Sequence, residues 1–120
     1  MPDQKTTVED LKKTFQQFVD DRDWAQFHNP KNLSINLGIE AAELQELFVW
    51  QKEDSLASFV EEHRTDIEDE VADIAFNLFQ FCNQVNIDLS KAIENKLVKI
   101  NKKYPIDKCK GLAKKYTEYK

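Results

Sequence analysis

The chain has 120 residues, of which 17 are basic and 22 acidic, giving a formal charge of −5 at pH 7. That length fits one domain or one subunit of an oligomer, and a hydrophobic fraction of 41% excludes wholesale disorder. Two Gly and three Pro are too few for a turn-rich β-sandwich, no apolar run approaches the ~20 residues of a membrane span, and net acidity speaks against a general nucleic-acid binder.

The opening residues, Met1-Pro2-Asp3-Gln4-Lys5, lack the apolar core of a signal peptide. Val8, Leu11, Phe15 and Phe18 then recur at spacings of three and four, which predicts a first helix. Thr7 followed by Asp10 is a variant capping box at its start. The helix should fade in Asp20-Asp21-Arg22-Asp23, and an aromatic connector follows, Asp23-Trp24-Ala25-Gln26-Phe27-His28-Asn29-Pro30. Pro30 disfavours helix at Asn29 and suits the first turn of a second helix, running to Trp50 or Gln51. Its apolar stripe is Leu33, Leu37, Ala41, Leu44 and Phe48. Gly38 inside that helix implies a close backbone approach, since glycine there costs about 1 kcal/mol against alanine.

A short helical piece, Leu56 to Glu62, is expected before a break near His63-Arg64-Thr65. The third helix carries Ile67, Val71, Ile74, Leu78, Phe81 and Val85, a heptad-like seam suited to bundle packing. Its many large apolar residues hint at packing against another subunit. Asp88 or Ser90 caps a fourth helix, lined by Leu89, Ile93, Leu97, Ile100 and Tyr104 and ended by Pro105. Residues 106–120 form a Lys-rich tail, expected to be loosely held. No repeat or internal boundary interrupts residues 1–120, so a single all-α, four-helix bundle-like domain is the economical reading.

Only two cysteines occur, without Cys-x-x-Cys or a Cys/His cluster, so zinc is unsupported and a reduced, cytoplasmic setting is expected. Cys82 falls on an apolar helical stripe and reads as a small core residue. Charge divides unevenly along the chain. Residues 1–90 carry 7 basic and 19 acidic side chains, a balance of −12, whereas residues 91–120 carry 10 and 3, a balance of +7.

Two acidic pairs stand apart from the surface charge, Glu40-Ala41-Ala42-Glu43 and Glu70-Val71-Ala72-Asp73. Residues three apart share a helix face, and each pair lies one position before the core stripe, at the rim of a helix–helix seam. Four carboxylates meeting there repel and raise one another's pKa. A hard divalent cation removes that cost, so Mg²⁺ completed by a phosphate ligand is predicted. Neither His28 nor His63 has a Glu three residues before it, which disfavours a ferritin-like di-iron site. No Gly-rich phosphate loop, HExxH or GxSxG occurs. Asn36, Glu40, Glu43, Leu47 and Trp50 share one face of the second helix, and Asn77 extends the Glu70/Asp73 face. Trp24, Phe27 and His28 precede the second helix. Aromatic rings near a metal–phosphate site offer a nucleotide both a charged and a stacking partner. Read singly, both Trp residues suit core anchors, and His28 suits a cap.

The two acidic pairs, with 26 residues between them, resemble the signature of MazG-like all-α nucleoside triphosphate pyrophosphohydrolases. The segments Arg22-Asp23-Trp24-Ala25-Gln26-Phe27-His28-Asn29-Pro30-Lys31-Asn32-Leu33, Glu43-Leu44-Gln45-Glu46-Leu47-Phe48-Val49-Trp50, Lys103-Tyr104-Pro105 and Lys115-Tyr116-Thr117-Glu118 narrow the resemblance to the dCTP pyrophosphatase branch. It spans about residues 8–118. It implies a helical protomer in an intertwined dimer or a tetramer. It also implies Mg²⁺-dependent cleavage of a deoxynucleoside triphosphate, dCTP favoured, to the monophosphate and pyrophosphate, a house-cleaning of the nucleotide pool. By that resemblance Glu40, Glu43, Glu70 and Asp73 hold Mg²⁺; among the four, Glu43 is taken to orient the attacking water. Trp24, His28 and Trp50 match base-pocket positions, and Lys96 matches a basic residue near the phosphates. Asn77 stands where close relatives often have Tyr, which keeps open a broader enzyme that also takes dATP or dTTP. Asn101 lies one residue beyond the family's usual Asn, with Ile100 in its place, and is carried as a substrate contact. The alternative of another class is a non-enzymatic helical interaction module.

Overall fold

Thr7 begins the first helix as its spacing predicts. In the computed structural model, which describes residues 1–119, the Thr7 N–H donates to Asp10 Oδ2 at 2.9 Å and the Asp10 N–H to Thr7 Oγ1 at 3.0 Å. The pair satisfies two otherwise orphaned donors at the start of α1, Val8–Asp21. Asn29 caps the next helix through its Oδ1, which accepts from Asn32 N–H at 2.8 Å, and Pro30 occupies the first turn. The elements are α1, α2 (Pro30–Phe48), α3 (Leu56–Glu62), α4 (Arg64–Val85), α5 (Leu89–Lys103) and α6 (Ile106–Cys109), with short 3-10 turns between some of them. No strand occurs among the described residues. None of the described helices is long and apolar enough to cross a membrane.

The chain separates into two compact units, Met1–Asn86 and Ile87–Lys120. In the first, α4 packs along α2 and, over a shorter length, along α1. Val19, Leu33 and Cys82 are its fully buried apolar side chains. Around them Phe15 meets Phe76 edge-on at 5.1 Å and Phe79 at 5.9 Å. Leu33 is 1% exposed. Leu33→Ala should therefore leave a cavity and lower stability by about 3 kcal/mol, measurable as a shift in the urea midpoint.

Two details differ from the sequence expectation. The second helix stops at Phe48, two residues short of Trp50, because Lys52 turns extended at φ −89° and ψ 151° and a 3-10 turn follows over Glu53–Ser55. No Pro or Gly marks this stop. Gly38 faces open space instead of a close neighbour: a Cβ built there meets nothing within 4 Å. Ile35 and Ile39 beside it are half-exposed, so this face of α2 is uncovered within one chain. The seam on α4 is likewise only partly covered, with Val71 half-exposed.

The second unit starts from Asp88, whose Oδ1 accepts from Lys91 N–H at 3.0 Å and caps α5. Ile93, Leu97 and Val98 on α5 are half-exposed. Past Pro105 the Lys-rich segment forms α6 and a 3-10 turn at Tyr116–Glu118. Tyr116 and Tyr119 both pack edge-on against Tyr104 at 5.9 Å, and Cys109 Sγ donates to the Tyr104 carbonyl at 3.4 Å. Lys120, the last residue of the predicted tail, lies outside the described residues.

Candidate active site

The packing of α4 on α2 brings one carboxylate pair from each helix together. Glu40 and Glu43 lie one turn apart on α2, and Glu70 faces them from α4. Their ligating oxygens all fall within 4.8 Å of one another. Glu40 Oε2 and Glu70 Oε2 are both buried and without a hydrogen-bond partner. Burial drives the Glu40 carboxyl up to about 7, aided by hydrogen bonding to Glu43 and by the charges of Glu43, Asp73 and Glu70. Glu70 is also raised, first by burial and then by Glu43, while its hydrogen bond with Glu40 pulls the other way.

A buried carboxylate oxygen with no partner is costly. Two such groups, joined by the exposed Glu43, converge on a common point and form a hard, all-oxygen donor set, the kind that suits Mg²⁺. The donor set therefore fits the predicted cation. Asp73, exposed on the next turn of α4, stands outside this triplet but within electrostatic reach of Glu40 and Glu70.

Beside Asp73 opens a cavity of about 400 Å³, lined by Thr14, Phe15, Phe18, Trp24, Ala72, Asp73 and Phe76. Phe18 meets Trp24 at 5.7 Å and Phe76 at 5.9 Å, both edge-on. The Arg22 guanidinium sits 3.7 Å over the Phe18 ring and donates to the Phe18 carbonyl at 3.0 Å. His28 packs 6.0 Å from Phe76 and 6.5 Å from Trp24. Its Nδ1 is buried without a partner, and burial lowers its pKa below 6.5, so the ring is neutral at pH 7. The cavity's own polar groups are acceptors. The Thr14 hydroxyl donates its proton to the Asp10 carbonyl at 2.8 Å, leaving lone pairs, and Asp73 presents a carboxylate.

Of the residues singled out in the sequence, Glu40, Glu43 and Glu70 converge, and Asp73, Trp24 and His28 border the same region. Asn77 is buried and donates its Nδ2 to the Asp73 carbonyl at 2.9 Å, so its amide is turned onto its own helix. Trp50 lies past the end of α2 and is 88% exposed. Lys96 and Asn101 are exposed on α5, in the second unit. Sequence reasoning missed Phe15, Phe18, Phe76 and Thr14 as cavity walls. Phe15 and Phe18 read there as plain core residues. The available signal for Phe76 was its position three residues after Asp73, on the same helix face.

Fold and site together define an all-helical protein with a carboxylate triplet beside an aromatic cavity. A sequence model of the MazG-like family matches residues 35–119. The dCTP pyrophosphatase 1 of Rattus norvegicus is 32% identical over 114 residues, covering 93% of this chain and 67% of the relative. The Homo sapiens dCTP pyrophosphatase 1 is 32% identical over the same shares of both chains. Among solved structures, a pyrophosphatase from Archaeoglobus fulgidus superposes with a TM-score of 0.78 at 34% identity, covering 82% of this chain and 92% of that one. The chain belongs to the MazG-like family.

Proposed function

We propose that this chain is a Mg²⁺-dependent nucleoside triphosphate pyrophosphohydrolase that converts deoxynucleoside triphosphates, dCTP foremost, to the monophosphate and pyrophosphate. The observation that carries the proposal is the convergence of Glu40, Glu43 and Glu70 within 4.8 Å, two of them with buried, unpartnered oxygens, beside an aromatic cavity. The relatives named dCTP pyrophosphatase 1 support it. Glu40, Glu43 and Glu70, with Asp73, would hold the cation. Mg²⁺, when bound, neutralises triphosphate charge and polarises a phosphoryl oxygen.

The chain's own residues divide the remaining work. Glu43 is exposed where Glu40 and Glu70 are half-buried, and it orients the attacking water toward the α-phosphorus. Trp24 and neutral His28 receive the base, and Trp50, exposed past the end of α2, is assigned to it by the resemblance alone. Lys96 counters phosphate charge, and Asn101, one residue beyond the family's usual Asn, is carried as a further substrate contact. The acceptor character of Thr14 and Asp73 favours a base with an exocyclic amino group over thymine, whose O4 would meet lone pairs.

Asn77 supports a second reading. Turned onto the Asp73 carbonyl, it is not among the side chains lining the cavity, which keeps open a broader enzyme also taking dATP or dTTP. A competition assay across the four dNTPs with Mg²⁺ separates the two. Turnover of dCTP to dCMP and pyrophosphate, ahead of the others, is the expected result, and release of orthophosphate would overturn the assignment. For a non-enzymatic helical module, Mg²⁺ plus a nonhydrolysable dCTP analogue would leave the melting temperature unchanged; selective stabilisation is expected instead.

Trp24→Ala should raise KM for dCTP about 10-fold with a smaller change in kcat, because base–aromatic stacking is lost in ground and transition states alike. Steady-state kinetics at saturating Mg²⁺ checks this.

The same reading takes residues 1–120 as one MazG-like domain with a basic tail at 106–120, acting in the cytoplasm without nucleic-acid or membrane partners. It assembles as an intertwined homodimer or homotetramer of bundle-like protomers. The half-exposed apolar side chains Ile35 and Ile39 on α2 and Ile93, Leu97 and Val98 on α5 support assembly.

A further inference from the structure

Asp23 follows α1 with φ +53°, the left-handed region that glycine occupies most readily. Two hydrogen bonds set it there. Its N–H donates to the Asp20 carbonyl at 3.1 Å, and the Trp24 N–H donates to the Val19 carbonyl at 3.0 Å. This is the Schellman pattern, in which the residue after the left-handed one folds back onto the helix it ends. Trp24 does so, with its ring 5.7 Å from that of Phe18.

Glycine would serve the turn alone. Aspartate adds a carboxylate, and that carboxylate has a partner. Gln26 Nε2 donates to the Asp23 carbonyl at 2.9 Å and to Asp23 Oδ2 at 3.3 Å. Gln26 belongs to the 3-10 turn Ala25–Phe27, which leads directly into His28. The clamp thus ties the turn to the end of α1, with Trp24 on one side of it and His28 on the other. Both rings border the cavity beside Asp73 or pack on its wall.

We propose that Asp23 and Gln26 are positioning residues for the base site, holding Trp24 and His28 in the arrangement that receives the nucleotide base. The proposal rests on the deoxynucleotide reading above. It differs from a helix-capping role in one consequence. Asp23→Gly keeps the left-handed turn, because glycine is the residue that turn prefers, yet removes the carboxylate half of the clamp. Gln26→Ala removes both halves and leaves the turn untouched. Asp23→Asn keeps both, since asparagine tolerates the left-handed region and its Oδ1 still accepts.

The test uses the full chain. With Trp50→Phe, Trp24 is the sole tryptophan, as the sequence has two, and time-resolved anisotropy reports its local motion. Gln26→Ala should enlarge the fast local component about twofold and raise KM for dCTP about 10-fold in the Trp50-containing chain, with kcat changed less. Asp23→Gly should show about a 3-fold rise in KM, and Asp23→Asn should restore values near those of the parent. A purely capping role predicts parental KM and anisotropy for Asp23→Gly and Gln26→Ala alike, and that result would overturn the proposal. So would a rise in Trp24 motion with no change in KM. If the parent chain hydrolyses no dNTP, the functional reading fails and the assignment to a base site fails with it. Anisotropy then still decides whether the clamp holds Trp24.

Discussion

Glu43→Gln is expected to lower kcat for dCTP by about 10³-fold while raising the melting temperature of the metal-free protein. The first effect follows from the role assigned to Glu43: an amide of the same shape cannot orient and activate water as a carboxylate does, and such groups contribute about 10²–10⁴-fold. The second follows from what Glu43 does to its neighbours. Its hydrogen bonding and charge help to raise both Glu40 and Glu70, so removing that charge relieves repulsion in the folded state only. Opposite movement of activity and stability is the signature of a functional carboxylate, because a structural one would lose both together. Steady-state kinetics at saturating Mg²⁺ and calorimetry in EDTA supply the two readouts. Undiminished turnover would remove Glu43 from the reaction.

Much of this arrangement is legible in the sequence, for reasons that are local. The capping box at Thr7 and Asp10, the Asn29-Pro30 start and the Asp88 cap each combine a side-chain acceptor with a helix-compatible register, so their helices begin where expected. Glu40 and Glu43 can be placed opposite Glu70 because both pairs precede an apolar stripe by one residue, and α2 does pack on α4. Non-local facts are harder to read. Gly38 suggests a close contact by propensity, but one chain provides no neighbour there. Trp50 looks aligned with the carboxylates only if α2 continues past Phe48. The helix ends without a breaker, so its end is invisible to composition. The cavity walls from α1, Phe15 and Phe18, look identical to core residues until Trp24 folds back over them. That reversal depends on a left-handed Asp23, which pattern reading does not reveal.

Metal-free protein should lose stability as pH rises from about 5 to 8, and Mg²⁺ should reverse the trend. Glu40 is raised from an ordinary 4.5 to about 7, and Glu70 is raised as well. A carboxyl whose folded pKa exceeds its unfolded one binds more protons when folded across that interval. Its contribution to stability is fully present below about 4.5 and is lost as pH climbs through 7. The capping carboxylate Asp10 runs the other way: its folded pKa is lowered by hydrogen bonds from Thr7. Its contribution is therefore present above its ordinary range and lost on acidification, and does not fall in the same window. His28, lowered by burial, does oppose the trend below its ordinary 6.5, but one lowered imidazole stands against two raised carboxyls. Cation binding needs the deprotonated ligands, so Mg²⁺ and protons compete for Glu40. The Mg²⁺-induced rise in melting temperature should consequently be small near pH 5.5 and several-fold larger near pH 8. Glu40→Gln should flatten the metal-free profile and abolish most of the Mg²⁺ response at every pH. Calorimetric scans across pH, with EDTA or with Mg²⁺, make the comparison directly. A metal-free stability that climbs between pH 5 and 8 would show that the raised carboxyls do not share the charge-crowded site formed where α2 meets α4.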